Sequence, residues 1–407
     1  MTQAKRAAFE YNWDLLAAHA NVDLAVAQAL VTKEFPNPTL SYSTAKINAD
    51  GRPSEAPGGH GLWDRTYDTI FAVNQLFEIG KRSVRQASAH AGAQSAEASF
   101  KDARRTLDLA VTKAYIAALL AQANVRILHQ TAESLQHEAK IAETRLNAGD
   151  LSKSDKAQIE IAAARSELDA EAAQSTAVSA RIAVEVLLGE KNPHGASMLS
   201  DSLEELATAS WLQGVSEPRP DLVAAEATLR KADADWRLQK AMRIPDPTWL
   251  VQYEHEPPDQ PNTVGFGVSL PLPIWNQNGG NIRAAAAARD QASAQVGKVR
   301  TQVASDISAA TVAYQEAAAR WHKYEKDIQP RSAEVLKTVA YAYQKGGAAL
   351  LDLLSAERTD NDIRVATAQA MADSATAVAT LANVENITAP SGVERPTERK
   401  SHVPSRR

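Results

Sequence analysis

Hydrophobic positions along this chain follow two periods. Between Leu107 and Leu146 small or apolar residues fall at Leu107, Val111, Ala114, Ala118, Ala121, Val125, Leu128, Ala132, Leu135, Ala139, Ala142 and Leu146. That unbroken alternation of four and three is a heptad seam and predicts a helix packed lengthwise on others. After Asn147-Ala-Gly-Asp150 the seam resumes at Ile159, Ala163, Ser166, Ala170, Ala173, Ala177, Ala180, Val184 and Leu187. Gly149 is therefore expected at the bend of a helical hairpin. Proline is absent from Lys81 until Pro193, so the first arm can run unbroken to Asn147, roughly 100 Å at the rise of an α-helix. At Val264, Phe266, Val268 and Leu270 the period drops to two, with Gly265, Gly267 and Ser269 between them. A strand there puts large apolar side chains on one face and small residues on the other. Pro271 and Pro273 stop its pairing, Asn276 to Asn281 supplies turn chemistry with two glycines, and an Ala-rich helix is expected from Ile282.

In chain order, Arg6 to Lys33 reads as helix, with Asn12-Trp-Asp-Leu15 opening a second segment, and Phe35-Pro-Asn-Pro38 ends it. Strands are expected over about 39–46 and 67–77, with a solvated loop from Asn48 to Gly61 between them. Residues 196–218 read as a connector. The programme then repeats. Arg219-Pro-Asp-Leu222 matches Asn12 to Leu15, and Ile244-Pro-Asp-Pro-Thr248 matches Phe35 to Thr39. Strands follow over about 249–255 and 263–272. The second rod runs from Ile282 to Lys345, its seam passing through Val296, Val299, Val303, Ile307, Ala310, Tyr314, Ala317, Trp321, Tyr324 and Ile328 with one long step. Gly346-Gly347 is the second bend, and Leu350 to Val384 returns. The chain thus divides into a first repeat, 1–195, the connector, a second repeat, 219–388, and a charged, Pro-containing tail, 389–407, expected to be disordered.

Composition narrows the classes. Apolar residues make up 44% of the 407 but aromatic ones only 5%, so alanine carries the packing, as suits long helix–helix contacts. A net charge of −5 without a basic patch gives no sign of a nucleic-acid partner. No cysteine is present, which excludes disulfides, thiolate metal sites and a catalytic thiol. No run of about 18 apolar residues predicts a transmembrane helix, and the first residues lack the apolar core of a signal peptide. Glu254-His255-Glu256 is the nearest approach to metal-ligand spacing, but neighbouring strand residues point to opposite faces, so no metal site is expected. No paired acid and base or phosphate loop stands out, and neither an enzyme nor a cofactor is expected.

Each repeat supplies only two strands, and four cannot close a barrel or hide their edges. Val264 to Leu270 nevertheless alternates as a membrane-crossing strand does. Several copies pooling their strands would resolve this. Three would give an even-numbered barrel of twelve strands, with the rods forming a helical wall.

The motifs NWDL, PNPTLS, RPDL, IPDPTW, GVSLPLPIWNQNGGNI, RLNAGDLSKSD and YQKGGAALLDLLSAER occur in order between about Arg6 and Asn386. Together they resemble the TolC-like outer-membrane efflux protein family. The wording is most similar to members serving heavy-metal resistance-nodulation-division (RND) systems of the cobalt-zinc-cadmium or copper-silver type. The resemblance implies a mainly α fold with a membrane β-barrel portion: two tandem repeats of a strand pair plus a long helical hairpin, trimerising into a twelve-stranded barrel in outer-membrane lipid and a periplasmic α-helical tunnel. It implies an efflux duct docked to a periplasmic adaptor and, through it, to an inner-membrane RND pump. By position, Gly149, Leu151 and Ser152 with Gly346, Gly347 and Ala348 would form the adaptor-facing tips. Asp352 would form an acidic ring at the tunnel mouth, with Ser154, Asp155 and Tyr343 in the network holding it shut. Ala348 stands where the family's pattern has an arginine, so no salt-bridge latch is expected from it. The residues alone also allow two plainer roles: glycines that merely supply positive φ at a helix turn, and Asp155 and Asp352 as charges favourable at helix N-termini. A periplasmic coiled-coil scaffold or an adaptor without a pore is the competing reading. The scaffold leaves the four strands unexplained, and an adaptor needs only one hairpin.

Overall fold

A computed structural model describes residues 1–45, 68–207, 212, 215–256 and 260–388. In chain order these form α1 (Thr2–Tyr11), α2 (Trp13–Val31), β1 (Thr39–Ala45), β2 (Asp68–Leu76), α3 (Lys81–Asn147), α4 (Lys153–Leu187), the short α5 (Leu203–Ala207), β3 (Val215–Ser216), α6 (Pro220–Ala241), β4 (Thr248–Glu256), β5 (Gln260–Ser269) and α7 (Gly279–Lys323). A π-helical turn (Tyr324–Ile328), α8 (Gln329–Gln344), α9 (Leu350–Val384) and β6 (Ile387–Thr388) complete the chain. The expected loop from Asn48 to Gly61, the outermost residues Lys46 and Tyr67 of the first strand pair, part of the connector and the tail after Thr388 lie outside the described residues.

The chain forms two compact units, and each draws on both repeats. One takes Met1–His19, Ser99–Leu222 and the chain from Arg300 onward; the other takes Ala20–Ala98 and Val223–Val299. The second holds an antiparallel sheet in the order β1-β2-β4-β5. Its registers run through Leu40↔Val73, Val73↔Val251 and Val251↔Phe266. Strand β5 starts and stops earlier than the alternation alone suggested, because pairing ends at Thr248↔Ser269 just before the donorless Pro271. The carbonyls of the prolines ahead of β1 and β4 are both used by the end of β2. Pro36 accepts from the Gln75 side chain at 2.9 Å, and Pro247 accepts from the Phe77 N–H at 2.9 Å.

The first unit is built on the heptad seams. Every seam residue from Leu107 to Leu146 is buried or half-buried. The main core joins Tyr115, Ile116 and Leu119 of α3 to Val184 of α4, Trp321 of α7 and Ala372 and Ala375 of α9, and the connector's α5 adds Leu203 and Leu206. Val215–Ser216 pairs antiparallel with Ile387–Thr388, tying the connector to the end of α9.

Two motifs that match in sequence do different work. Asn12 breaks α1 from α2 with extended backbone. Its Oδ1 accepts the Leu15 N–H at 3.1 Å and its Nδ2 donates to the Leu187 carbonyl at 3.0 Å. Gly189 is required beside it. Its φ is +81°, and a Cβ there would lie 2.2 Å from the Tyr11 carbonyl oxygen. In the second repeat Pro220 opens α6, and the buried Arg219 forks between Asp221 (2.7 Å) and Asp306 (2.9 Å).

Two expectations about the second rod need correction. Helix α7 begins at Gly279 rather than Ile282, and the left-handed residue in the turn before it is Asn278 (φ 60°), with both glycines inside the first helical turn. Asparagine tolerates that region, and its side chain is fixed by bonds to the Gln239 carbonyl (2.8 Å) and side chain (3.0 Å). The long step in the seam leaves α7 continuous. The irregularity lies at Tyr324–Ile328, just ahead of Pro330. Proline removes one helical donor and crowds the carbonyl four residues back, and a π turn accommodates both.

Candidate functional site

The middle of the sheet sorts its side chains by face. On one face Leu40, Val73, Val251 and Phe266 form a cross-strand row, Tyr42, Phe71, Tyr253 and Val264 form a second, and Trp249 and Val268 extend it. Leu40, Tyr42, Phe71, Val73, Trp249, Val251, Val264, Phe266 and Val268 are exposed, Phe266 at 82%. The opposite face carries Ser41, Ala72, Gln252 and Gly265 in one row, Asn74, Leu250 and Gly267 in the next, and Ser43, Ile70, Glu254 and Thr263 on the other side. An exposed apolar strand face backed by a small and polar one is the arrangement of a barrel wall with lipid outside and water inside. Regular pairing ends in a bulge between Glu254 and Glu256.

At the helical bends, local backbone chemistry accounts for the glycines. Gly149 (φ +85°) and Gly346 (φ +77°) each follow a helix C-terminus. Behind them Asp150 donates to the Arg145 carbonyl and Gly347 to the Ala342 carbonyl, both at 2.8 Å. These are matching left-handed terminations. A Cβ at either glycine would meet nothing within 4 Å. The following helices begin with complementary halves of a capping box. Ser152 accepts the Asp155 N–H at 3.0 Å through its hydroxyl, whereas Asp352 accepts the Ala349 N–H at 3.1 Å through its carboxylate. Leu151 and Ala348 pack against a small core of Ala142, Ile159, Tyr343, Leu350 and Leu353, which joins the two bends into one end of the unit.

The four residues assigned to the tunnel mouth are thus near this end but are not hydrogen-bonded to one another within one chain. Ser154 and Asp352 are exposed, and Tyr343 is buried. Burial pushes the Tyr343 hydroxyl above its ordinary range; Arg145 opposes this, while Glu138 and Asp155 add to it. The Arg145 guanidinium lies 5.4 Å from the centre of the Tyr343 ring. Sequence reasoning missed Arg145, whose only signal was a basic residue in the last turn of α3. It also missed Glu357 on α9. Burial, followed by repulsion from Glu138, lifts that carboxyl to about 7. A third omission is Asp246, in the other unit, which accepts the Ile79 N–H at 2.9 Å and pairs with Lys81 at 2.7 Å, fixing the turn from β2 into α3.

A sheet with a lipid-type face, joined to two long helical hairpins, defines a membrane channel subunit that combines a β-barrel portion with an α-helical tunnel. Solved structures share that fold. CusC superposes with a TM-score of 0.76 at 17% identity, covering 94% of this chain and 91% of its own. VceC from Vibrio cholerae superposes with a TM-score of 0.77 at 20% identity, covering 95% and 96%. The chain belongs to the outer membrane efflux protein family, whose model matches residues 6–190 and 211–385. It is also similar to the cobalt-zinc-cadmium resistance protein CzcC of Cupriavidus metallidurans, 24% identical over 351 residues that make up 86% of this chain and 80% of that one. This protein is accordingly an efflux channel component of the outer membrane.

Proposed function

We propose that three copies close their sheets into one twelve-stranded barrel. The assembly is the exit duct of a tripartite pump and passively conducts heavy-metal cations delivered by an inner-membrane RND pump through a periplasmic adaptor. The observation that carries the trimer is the sheet itself. Four strands in the order β1-β2-β4-β5 leave β1 and β5 as edges and expose an apolar face, and both are satisfied together only in a closed barrel within lipid. The metal cargo rests on the similarity to CzcC. Gly149, Leu151, Ser152, Gly346, Gly347 and Ala348 are assigned to the adaptor-facing tips, where the open space around both glycines lets a partner backbone approach. Asp352, with Ser154, Asp155 and Tyr343, is assigned to the tunnel mouth. Native mass spectrometry of the detergent-extracted protein tests the assembly: three copies are expected, whereas a monodisperse species that stays soluble without detergent refutes it. Co-expression with a heavy-metal pump and adaptor in a host lacking its own duct should raise tolerance to cobalt, zinc or cadmium. Raised tolerance to organic toxicants alone would reassign the cargo.

A further inference from the structure

We infer that a buried polar layer crossing the helical unit at Thr131 and Asn361 is a joint, and that a proton held on Glu357 keeps the bend-bearing end below it closed. The consequence for conduction rests on the tunnel-mouth reading of Asp352 above; the joint itself does not.

With the bends taken as the lower end, the layer parts two apolar cores. Above it Tyr115, Ile116 and Leu119 pack with Ala370 and Ala372; below it Ala142 and Ile159 pack with Tyr343 and Leu353. Between them α9 places Glu357, Asp360 and Asn361, and α3 places Asn124, Thr131 and Glu138 at seven-residue spacing. The Thr131 hydroxyl donates to Asn361 Oδ1 at 2.8 Å. Ser166 of α4 and Ser332 of α8 are buried as well. Counted along each helix from its own bend, Thr131, Ser166, Ser332 and Asn361 all fall about 17–24 Å up, so all four arms put a polar group into one level.

Cohesion is weakest in this layer. Asn124 Oδ1, Glu357 Oε2 and Asp360 Oδ1 are buried without hydrogen-bond partners, which costs stability there while the cores on either side stay packed. The π turn at Tyr324–Ile328, a local departure from helical regularity of the kind that marks hinges, ends four residues before Ser332.

Glu357 is the member whose charge can change. Burial, and then Glu138 of α3, lift its carboxyl to about 7. The other charges around it are engaged elsewhere or face solvent. Arg364 is held by Asp360 at 2.6 Å and Lys156 of α4 by Glu160 at 3.1 Å. His137 and Lys140 of α3, Glu334 and Lys337 of α8 and Arg358 of α9 are exposed. A neutral Glu357 packs; an ionised one repels Glu138 and demands water, and relief lies in parting α9 from α3 below the Thr131 bond. Glu357 lies about 6 Å below Asn361 along α9 and Asp352 about 14 Å, so a parting at Glu357 is roughly doubled at Asp352. The closed end has this stabilisation in full below the ordinary carboxylate value of 4.5 and has lost it above about 7.

Hydrogen–deuterium exchange of the detergent-extracted full chain at pH 6 and pH 8, corrected for intrinsic exchange rates, tests the joint. Amides from Leu353 to Glu357 should lose protection about tenfold between the two, from one proton released at about 7, while those from Ala370 to Ala375 stay unchanged. Glu357→Gln, which keeps the shape of the neutral acid, should hold its protection at pH 8. Protection below the layer that does not change with pH overturns the proposal, and so does an equal loss in both stretches, which would mean general softening. Conductance in planar bilayers separates the two readings: it should rise from pH 6 to pH 8 in the parent and not in Glu357→Gln. The tenfold loss of protection with unchanged conductance supports the joint and refutes the placement of Asp352 at the mouth.

Discussion

Glu185, near the end of α4, should be one of the most damaging single positions in the helical unit. Its carboxylate is 1% exposed and accepts four hydrogen bonds: from the N–H groups of His194 and Gly195 at 2.7 Å each, and from the N–H and hydroxyl of Ser197 at 2.9 Å each. Burial by itself would push this group up. The donors of Gly195, Ser197 and His194 outweigh that and hold it at about 2. Its stabilising effect is therefore present above the ordinary carboxylate range and is lost only as pH falls through about 2. In Glu185→Gln the amide can keep its oxygen toward His194 and Gly195, and the Ser197 hydroxyl can rotate to accept. The Ser197 N–H, however, then faces an NH2 group. One orphaned buried donor costs about 1–3 kcal/mol, and weakening the remaining bonds from charged to neutral adds about 1–2, for a total near 3 kcal/mol. Hydrogen–deuterium exchange of the Gly195 and Ser197 amides reads this locally. A loss of about 3 kcal/mol corresponds to roughly 100-fold faster exchange at neutral pH, from about 1.4 kcal/mol per decade. Exchange within about threefold of the parent would refute the account of the turn as one held by the carboxylate.

Three further outcomes are expected. Glu357 has its Oε2 buried without a hydrogen-bond partner, and its carboxyl titrates at about 7 rather than near 4.5. The folded state therefore binds more protons across that window, and thermal stability should fall as pH rises through it; Glu357→Gln should abolish the slope, and an unchanged slope rejects the assignment. Asp352→Ala should raise cation conductance through the closed duct in planar bilayers, and unchanged conductance and selectivity would remove Asp352 from the constriction. Bulky charged residues at Gly149 and Gly346 should abolish efflux with the trimer intact: both sites are open beyond 4 Å, and the strain of a side chain at positive φ is confined to the turn, which an asparagine control at each position measures. Wild-type efflux in both variants would refute a docking role.

The elements governed by a single period were legible in the sequence. Heptads placed α3 and α4 and the bend between them, and alternation at Val264 to Val268 gave the apolar face of β5. What escaped were features set by partners far away in the chain. Asp246 shows no local pattern, because its role depends on Ile79 and Lys81 reaching it across the sheet. Asn12 and Arg219 sit in matching motifs yet act as a cap and as an ion-pair hub, a difference fixed by Leu187 in one case and Asp306 in the other. The π turn was foreshadowed by Pro330, whose missing N–H a seam traced only through apolar positions does not register. At the bends the glycines were legible as helix terminators, but Arg145 came into view only when α8 brought Tyr343 beneath it.

The bond from Asn12 to the carbonyl of Leu187 closes 175 residues of chain. Helix α1 is thus completed only when the first hairpin has returned to Leu187. Closing so long a loop carries an entropic cost that a hairpin turn does not, so the rods can zip from their own bends while α1 waits for Gly189 to arrive beneath Tyr11. A chain threaded through a membrane in chain order would carry α1 undocked until Gly189 has followed it. A fault in the Gly189 turn would then be felt in the folding of the subunit, where α1 and the end of the first hairpin meet, rather than in conduction through the assembled duct.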